Sequence, residues 1–92
     1  MSTELLPIIV GVAIISDDGK VISMSRPARH HHVIDKMVNK LNYKPPIIGE
    51  QGFILDSGDY VNRVTARKIA EKNGQLLKTA LDLPELFSED VW

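Results

Sequence analysis

The sequence predicts an α+β domain: a small antiparallel sheet and two helices in ββαββα order, followed by a docked C-terminal tail. Three observations carry this expectation. A long β-branched run leads through an Asp-Asp-Gly turn into an alternating segment, an apolar stripe of helical period follows, and the second half repeats strand, turn, strand and helix. With 92 residues, 43% of them hydrophobic and 25% charged, residues 1–92 make a single domain with a modest core. Many folds of this size gain by association.

Ile8 to Ser16 is a β-branched apolar run, long for a strand and suited to burial on both faces. Asp17-Asp18-Gly19 favours a tight hairpin. From Lys20 to Ser25 the side chains Val21, Ser23 and Ser25 alternate with Ile22 and Met24, which suits a second antiparallel strand. Ser25 is a candidate N-cap, with Pro27 in the first turn. Helix one is expected to run to about Asn42, because Val33, Ile34, Met37, Val38 and Leu41 fall at three- and four-residue spacing. On that wheel His30 looks into the fold, Arg29 and His31 border the stripe, and His32 faces solvent. The segment from Asn42 to Pro46 breaks the helix.

Gly49 to Gly52 reads as a loop, Gly52 to Asp56 as a third strand, and Tyr60 to Asn62 as a short fourth strand beyond a Ser57-Gly58-Asp59 turn. Asn62 then caps helix two, which runs from Arg63 to about Asn73 and stops at Gly74. Ala66, Ile69, Ala70 and Leu77 mark its expected inner stripe. Arg63 and Arg67, one turn apart, read as a solvated face. The tail ends on Trp92, a large apolar side chain expected to dock on its own domain or on a partner subunit.

A net charge of −1 argues against duplex nucleic acid, since proteins that track phosphate backbones are basic. The absence of cysteine excludes a disulfide framework and suits the cytoplasm. The run Leu5 to Ile15 lacks a basic flank, contains Pro7 and is too short to span a bilayer, so no membrane association is expected.

The feature that calls for a functional explanation is Arg26-Pro27-Ala28-Arg29-His30-His31-His32. The first turn of a helix is already electropositive, so basic side chains there are the wrong sign for stability. They make sense if an anion gathers both the side chains and the free backbone donors.

The order of Arg29-His30-His31-His32-Val33-Ile34, Gly49-Glu50-Gln51-Gly52-Phe53, Gly58-Asp59-Tyr60-Val61-Asn62-Arg63, Gly74-Gln75 and Leu86-Phe87-Ser88-Glu89-Asp90 resembles the first family of phage Thoeris anti-defence proteins. These are sponges that sequester cyclic ADP-ribose-type immune signals. The resemblance implies a non-catalytic protein of the host cytoplasm, without cofactor or metal, that binds a cyclic nucleotide as a homodimer or as a hexamer of dimers. Cyclic di- or trinucleotides are further implied ligands. By the same resemblance Arg29 contacts a phosphate, Phe53 stacks on adenine, Asn62 bonds the base or ribose, and Lys78 helps hold the pyrophosphate. His30 and Arg63 complete the set of residues expected to bind the ligand. The chain departs from the family at Asp59, where a basic residue is expected, and at Val64-Thr65, where helix two usually starts acidic.

The residues themselves also fit blander roles: Phe53 as core, Asn62 as a helix cap, Tyr60 as a cross-strand packing partner. Two other functions draw on the same region. A small phosphodiesterase would use His30 and His32 as acid and base, and a protein-interaction module would dock through Trp92 and the tail. A metal site is the weakest reading, because His31 and Asp35 form the only pair at chelating spacing and zinc sites take three or four protein ligands.

Overall fold

The computed structural model describes residues 7–47, 49–80 and 82–92; Leu5 and Leu6 of the apolar run lie outside them. The expected order holds: β1 (Ile9–Ile15), β2 (Val21–Ser25), α1 (His30–Asn39), β3 (Glu50–Leu55), β4 (Tyr60–Asn62), α2 (Arg63–Asn73) and a 3-10 turn, Ser88–Asp90. The strands form one antiparallel sheet in the order β2-β1-β3-β4. β1 is therefore central, which explains its nearly unbroken apolar sequence.

Face selection in β1 depends on a register slip. Val12 pairs with Phe53, but Ile9 pairs with Leu55 because the ladder shifts between Ile9 and Gly11. That bulge returns Ile9 to the side of Val12 and Ile14, where strict alternation would have turned it away. Ile9, Val12, Ile14, Phe53 and Leu55 then join Val33 and Met37 of α1, Ala66 and Ala70 of α2, and Leu86 and Val91 of the tail in one core.

Three boundaries differ from the sequence reading. Ser25 does not cap α1: it still pairs with Gly11, and the Arg26 amide donates to Val10 O at 2.8 Å, so the strand backbone is occupied. The helix begins at His30 with Arg29 as N-cap, which leaves Pro27 ahead of it. At its far end α1 stops at Asn39 rather than Asn42, because Asn42 takes a left-handed φ of 61° and Tyr43 N–H folds back onto Met37 O. Glu50 and Gln51 are not in a loop; they pair with Ile15 and Ile14 as the start of β3.

α2 matches its expected limits. The Asn62 side chain accepts from Thr65 N–H at 2.8 Å, and Gly74 closes the helix at φ 81°. Leu77 lies beyond the helix end and is exposed rather than part of its inner stripe. Arg67 is not solvated. Positions 63, 66, 67 and 70 share one helical stripe, and the small Ala66 and Ala70 leave space beside them for a long side chain. Arg67 is accordingly buried, with Nε donating to Glu71 Oε1 at 2.8 Å.

The tail docks on its own domain. Leu86 is fully buried, and the Trp92 indole N–H donates to Ala28 O at 3.0 Å. Just past Gly74, Gln75 serves as a side-chain substitute for a strand: Ile9 N–H donates to its Oε1 at 2.8 Å and its Nε2 donates to Ile9 O at 3.0 Å. Ile9 is fully buried, so water cannot replace the glutamine at those groups. Gln75→Leu should therefore cost about 2 kcal/mol of unfolding free energy in urea titration, the penalty of orphaning buried backbone groups. A loss below about 0.5 kcal/mol, the range of ordinary surface changes, would refute the bridging role.

Candidate functional site

The mouth of α1 opens on a cavity of about 310 Å³ lined by Arg29, His30, His31, Arg63, Phe87, Ser88 and Glu89. Its walls come from three places: the first turn of α1, the start of α2, and the tail. A second cavity of about 270 Å³ shares Arg63 and adds Glu50, Gln51, Asn62, Val64 and Glu85. Arg63 is the common wall.

His30 anchors the first cavity from below. It is 8% exposed, and its Nε2 donates to Gly52 O at 2.8 Å, which makes Nδ1 the acceptor of the neutral ring. The ring also meets Phe53 edge-on, with centroids 5.1 Å apart. Burial pushes its pKa below the ordinary 6.5; the Arg63 charge acts in the same direction, against the Gly52 carbonyl and Glu89. Gly52 can take this role because it has no side chain: a Cβ there would lie 2.3 Å from Val61 O and 2.5 Å from the Tyr60 ring.

The two arginines are held differently. Arg63 lies over the Phe87 ring, its Cζ 4.8 Å from the centroid, and its Nη2 donates to Gln51 Oε1. Its Nε is buried with no hydrogen-bond partner among the described residues, and so is Nη1 of Arg29. Unsatisfied buried donors are uncommon in folded chains. Two of them on side chains lining one cavity mark it as a place for an acceptor. Glu89 sits in the same cavity, its carboxyl held below the usual range first by its own backbone N–H, then by the Ser88 hydroxyl and the charge of Arg29.

Of the residues expected to bind a ligand, Arg29, His30 and Arg63 come together in the first cavity, and Asn62 lines the second. Phe53 corrects the expectation. It is fully buried between His30 and Trp92, so it has no open face on which a base could stack. Lys78 is exposed and lines neither cavity. Sequence reasoning missed Phe87, the aromatic that does reach the cavity, and Gln51, which steadies Arg63. The spacing of Arg63 with Ala66 and Ala70 was the available signal for an inward-facing arginine.

The histidines do not form an acid–base pair. His30 Nε2 is committed to Gly52 O, while His32 Nδ1 accepts the Arg29 amide at 2.7 Å and its ring is exposed outside the cavity. Among the described residues no group of three or more His, Cys, Asp or Glu is arranged to hold a metal ion. No helix among them is long and apolar enough to cross a membrane.

Comparison with known families matches residues 8–92 to a family described as the phage T4 y16D protein. No curated protein and no solved structure matches the chain.

His30 makes the fold sensitive to mild acid. Because its pKa is lowered in the folded state, the unfolded chain takes up the proton first as pH falls. Its contribution to stability is therefore full above about pH 6.5 and is lost as pH falls from there through the folded-state pKa. Urea midpoints should drop between pH 7.5 and 5.5, and His30→Gln should flatten that dependence. An equal slope in the variant would show that the ring does not titrate against folding.

Proposed function

Because the chain belongs to the phage T4 y16D protein family, whose pattern spans residues 8–92, we propose that it is a phage accessory protein that binds and sequesters a cyclic nucleotide immune signal in the host cytoplasm. The signal is a cyclic ADP-ribose isomer, or a cyclic di- or trinucleotide. The observation that carries this reading is the pair of buried, unpartnered guanidinium nitrogens of Arg29 and Arg63 beside one cavity at the mouth of a helix. Arginine can hold a phosphate through two parallel N–H bonds, and the first turn of α1 adds free backbone donors to the same end.

The roles follow from position. Arg29 and Arg63 take the phosphate, Phe87 offers the aromatic wall, and Asn62 and Gln51 offer amides in the adjoining cavity. No bond is made or broken; holding the signal is the whole activity. Assembly as a homodimer or a hexamer of dimers belongs to the same proposal. Val64, Leu77 and Leu83, each more than 40% exposed, supply apolar surface for it.

A thermal melt with cyclic ADP-ribose isomers and cyclic dinucleotides tests this. Ligand at about a hundred times Kd stabilises the folded state by about 2.7 kcal/mol, a rise in Tm of about 14 °C for a domain of this size. Arg29→Glu should abolish the rise while leaving the unliganded melt in place, since an acidic residue suits a helix N-cap. Mass spectrometry of the compound released on denaturation should return it chemically unchanged. No shift with any of these nucleotides, or release of an altered product, would overturn the reading.

A further inference from the structure

We infer that Glu89 sets the specificity of this site, admitting a phosphate-bearing ligand that also presents sugar hydroxyls, such as a ribosyl phosphate ester, and rejecting a bare polyanion. The inference rests on the anion-site reading above and goes further by naming what else the ligand must carry. Around the two cavities stand the guanidiniums of Arg29 and Arg63 and the carboxylates of Glu89, Glu50 and Glu85. Carboxylates thus outnumber fixed cations, and burial keeps His30 toward its neutral form. A site built only to collect charge would not be walled this way.

Glu89 shares the first cavity with both arginines, yet among the described residues it closes no ion pair with either; the ion pairs there are Lys20–Asp18 and Arg67–Glu71. The carboxylate and the guanidiniums instead share a cavity whose volume of about 310 Å³ falls at the lower end of the small-molecule range. An ionised carboxylate only accepts hydrogen bonds. Beside arginine-bound phosphate it can be satisfied by a sugar hydroxyl of the same ligand, whereas a ligand made of phosphate alone would meet it only as a like charge. Glu50 and Glu85 extend that rule into the adjoining cavity, where a donor-bearing body is favoured and further negative charge is not.

The position of Glu89 is fixed from both sides. The Ser88 hydroxyl donates to its Oε2 at 3.3 Å, Asp90 accepts the Phe87 amide at 2.9 Å, and Trp92 ties the end of the turn to Ala28. Every one of these anchors lies in the tail or holds it, so the selecting carboxylate is presented by a docked segment rather than by a free loop.

Calorimetric titration of the full chain with ADP-ribose and with inorganic pyrophosphate tests the inference, since both offer a pyrophosphate and only one carries ribose. The wild type should favour ADP-ribose by at least about tenfold. Glu89→Gln should tighten pyrophosphate by about tenfold without tightening ADP-ribose, which collapses the preference. Equal affinity of the wild type for the two probes, or an unchanged ratio in Glu89→Gln, would overturn the role of Glu89 alone, provided Arg29→Glu still abolishes binding. Failure of the wild type to bind either probe would instead remove the anion site and this inference with it.

Discussion

The His30 ring is the joint on which the site depends. Its N–H to the Gly52 carbonyl ties the first turn of α1 to the middle of β3, and its edge contact with Phe53 carries the connection through to Trp92 and the tail. A neutral, buried imidazole satisfied by one carbonyl can do this at little cost, because the hydrogen bond offsets the loss of hydration. That joint acts together with the Trp92 indole bond to Ala28 O and the Leu86 amide bond to Arg63 O, which hold the segments bearing Arg29, Arg63 and Glu89 in one frame.

The surrounding electrostatics are mixed by construction. Helix α1 has no acidic residue in its first turn and carries Arg29 as its N-cap, which leaves the positive end of the helix uncompensated by its own sequence. Compensation comes from elsewhere in the chain, from the carboxylate of Glu89 on the 3-10 turn. On α2 the pairing of Arg63 and Arg67 with two alanines solves a packing problem: the long stems fill the space the small residues leave, and the charged ends reach partners at the rim. Arg67 finds Glu71, and Arg63 finds Gln51 and the Phe87 ring.

Local chemistry made much of the fold readable. The Asp17-Asp18-Gly19 turn, the Asn62 cap, the Gly74 stop and the three-residue β4 each follow from a residue type with one favoured backbone use, and each stands where its spacing put it. The start of α1 was not readable, because Ser25 is an equally good cap until its partner strand is known to occupy its backbone. Half of the candidate site was visible as Arg29, His30, Asn62 and Arg63. The resemblance alone puts Phe53 on the ligand; read from the residues, an aromatic in a strand looks the same whether it faces a core or a cleft. Phe87 and Glu89 could not be placed, being more than twenty residues away from the Arg29 and Arg63 side chains whose cavity they share.

What the sequence determined by itself is therefore what short-range physics determines: periodicity, turn and cap chemistry, and the presence of cations where a helix begins. Tertiary structure decided which face each side chain meets. A one-residue slip at Ile9 sends it into the core, a docked tail closes a cavity over Arg29, and Phe53 disappears beneath Trp92. These outcomes depend on contacts between distant segments, whose free energy no local window of the chain contains.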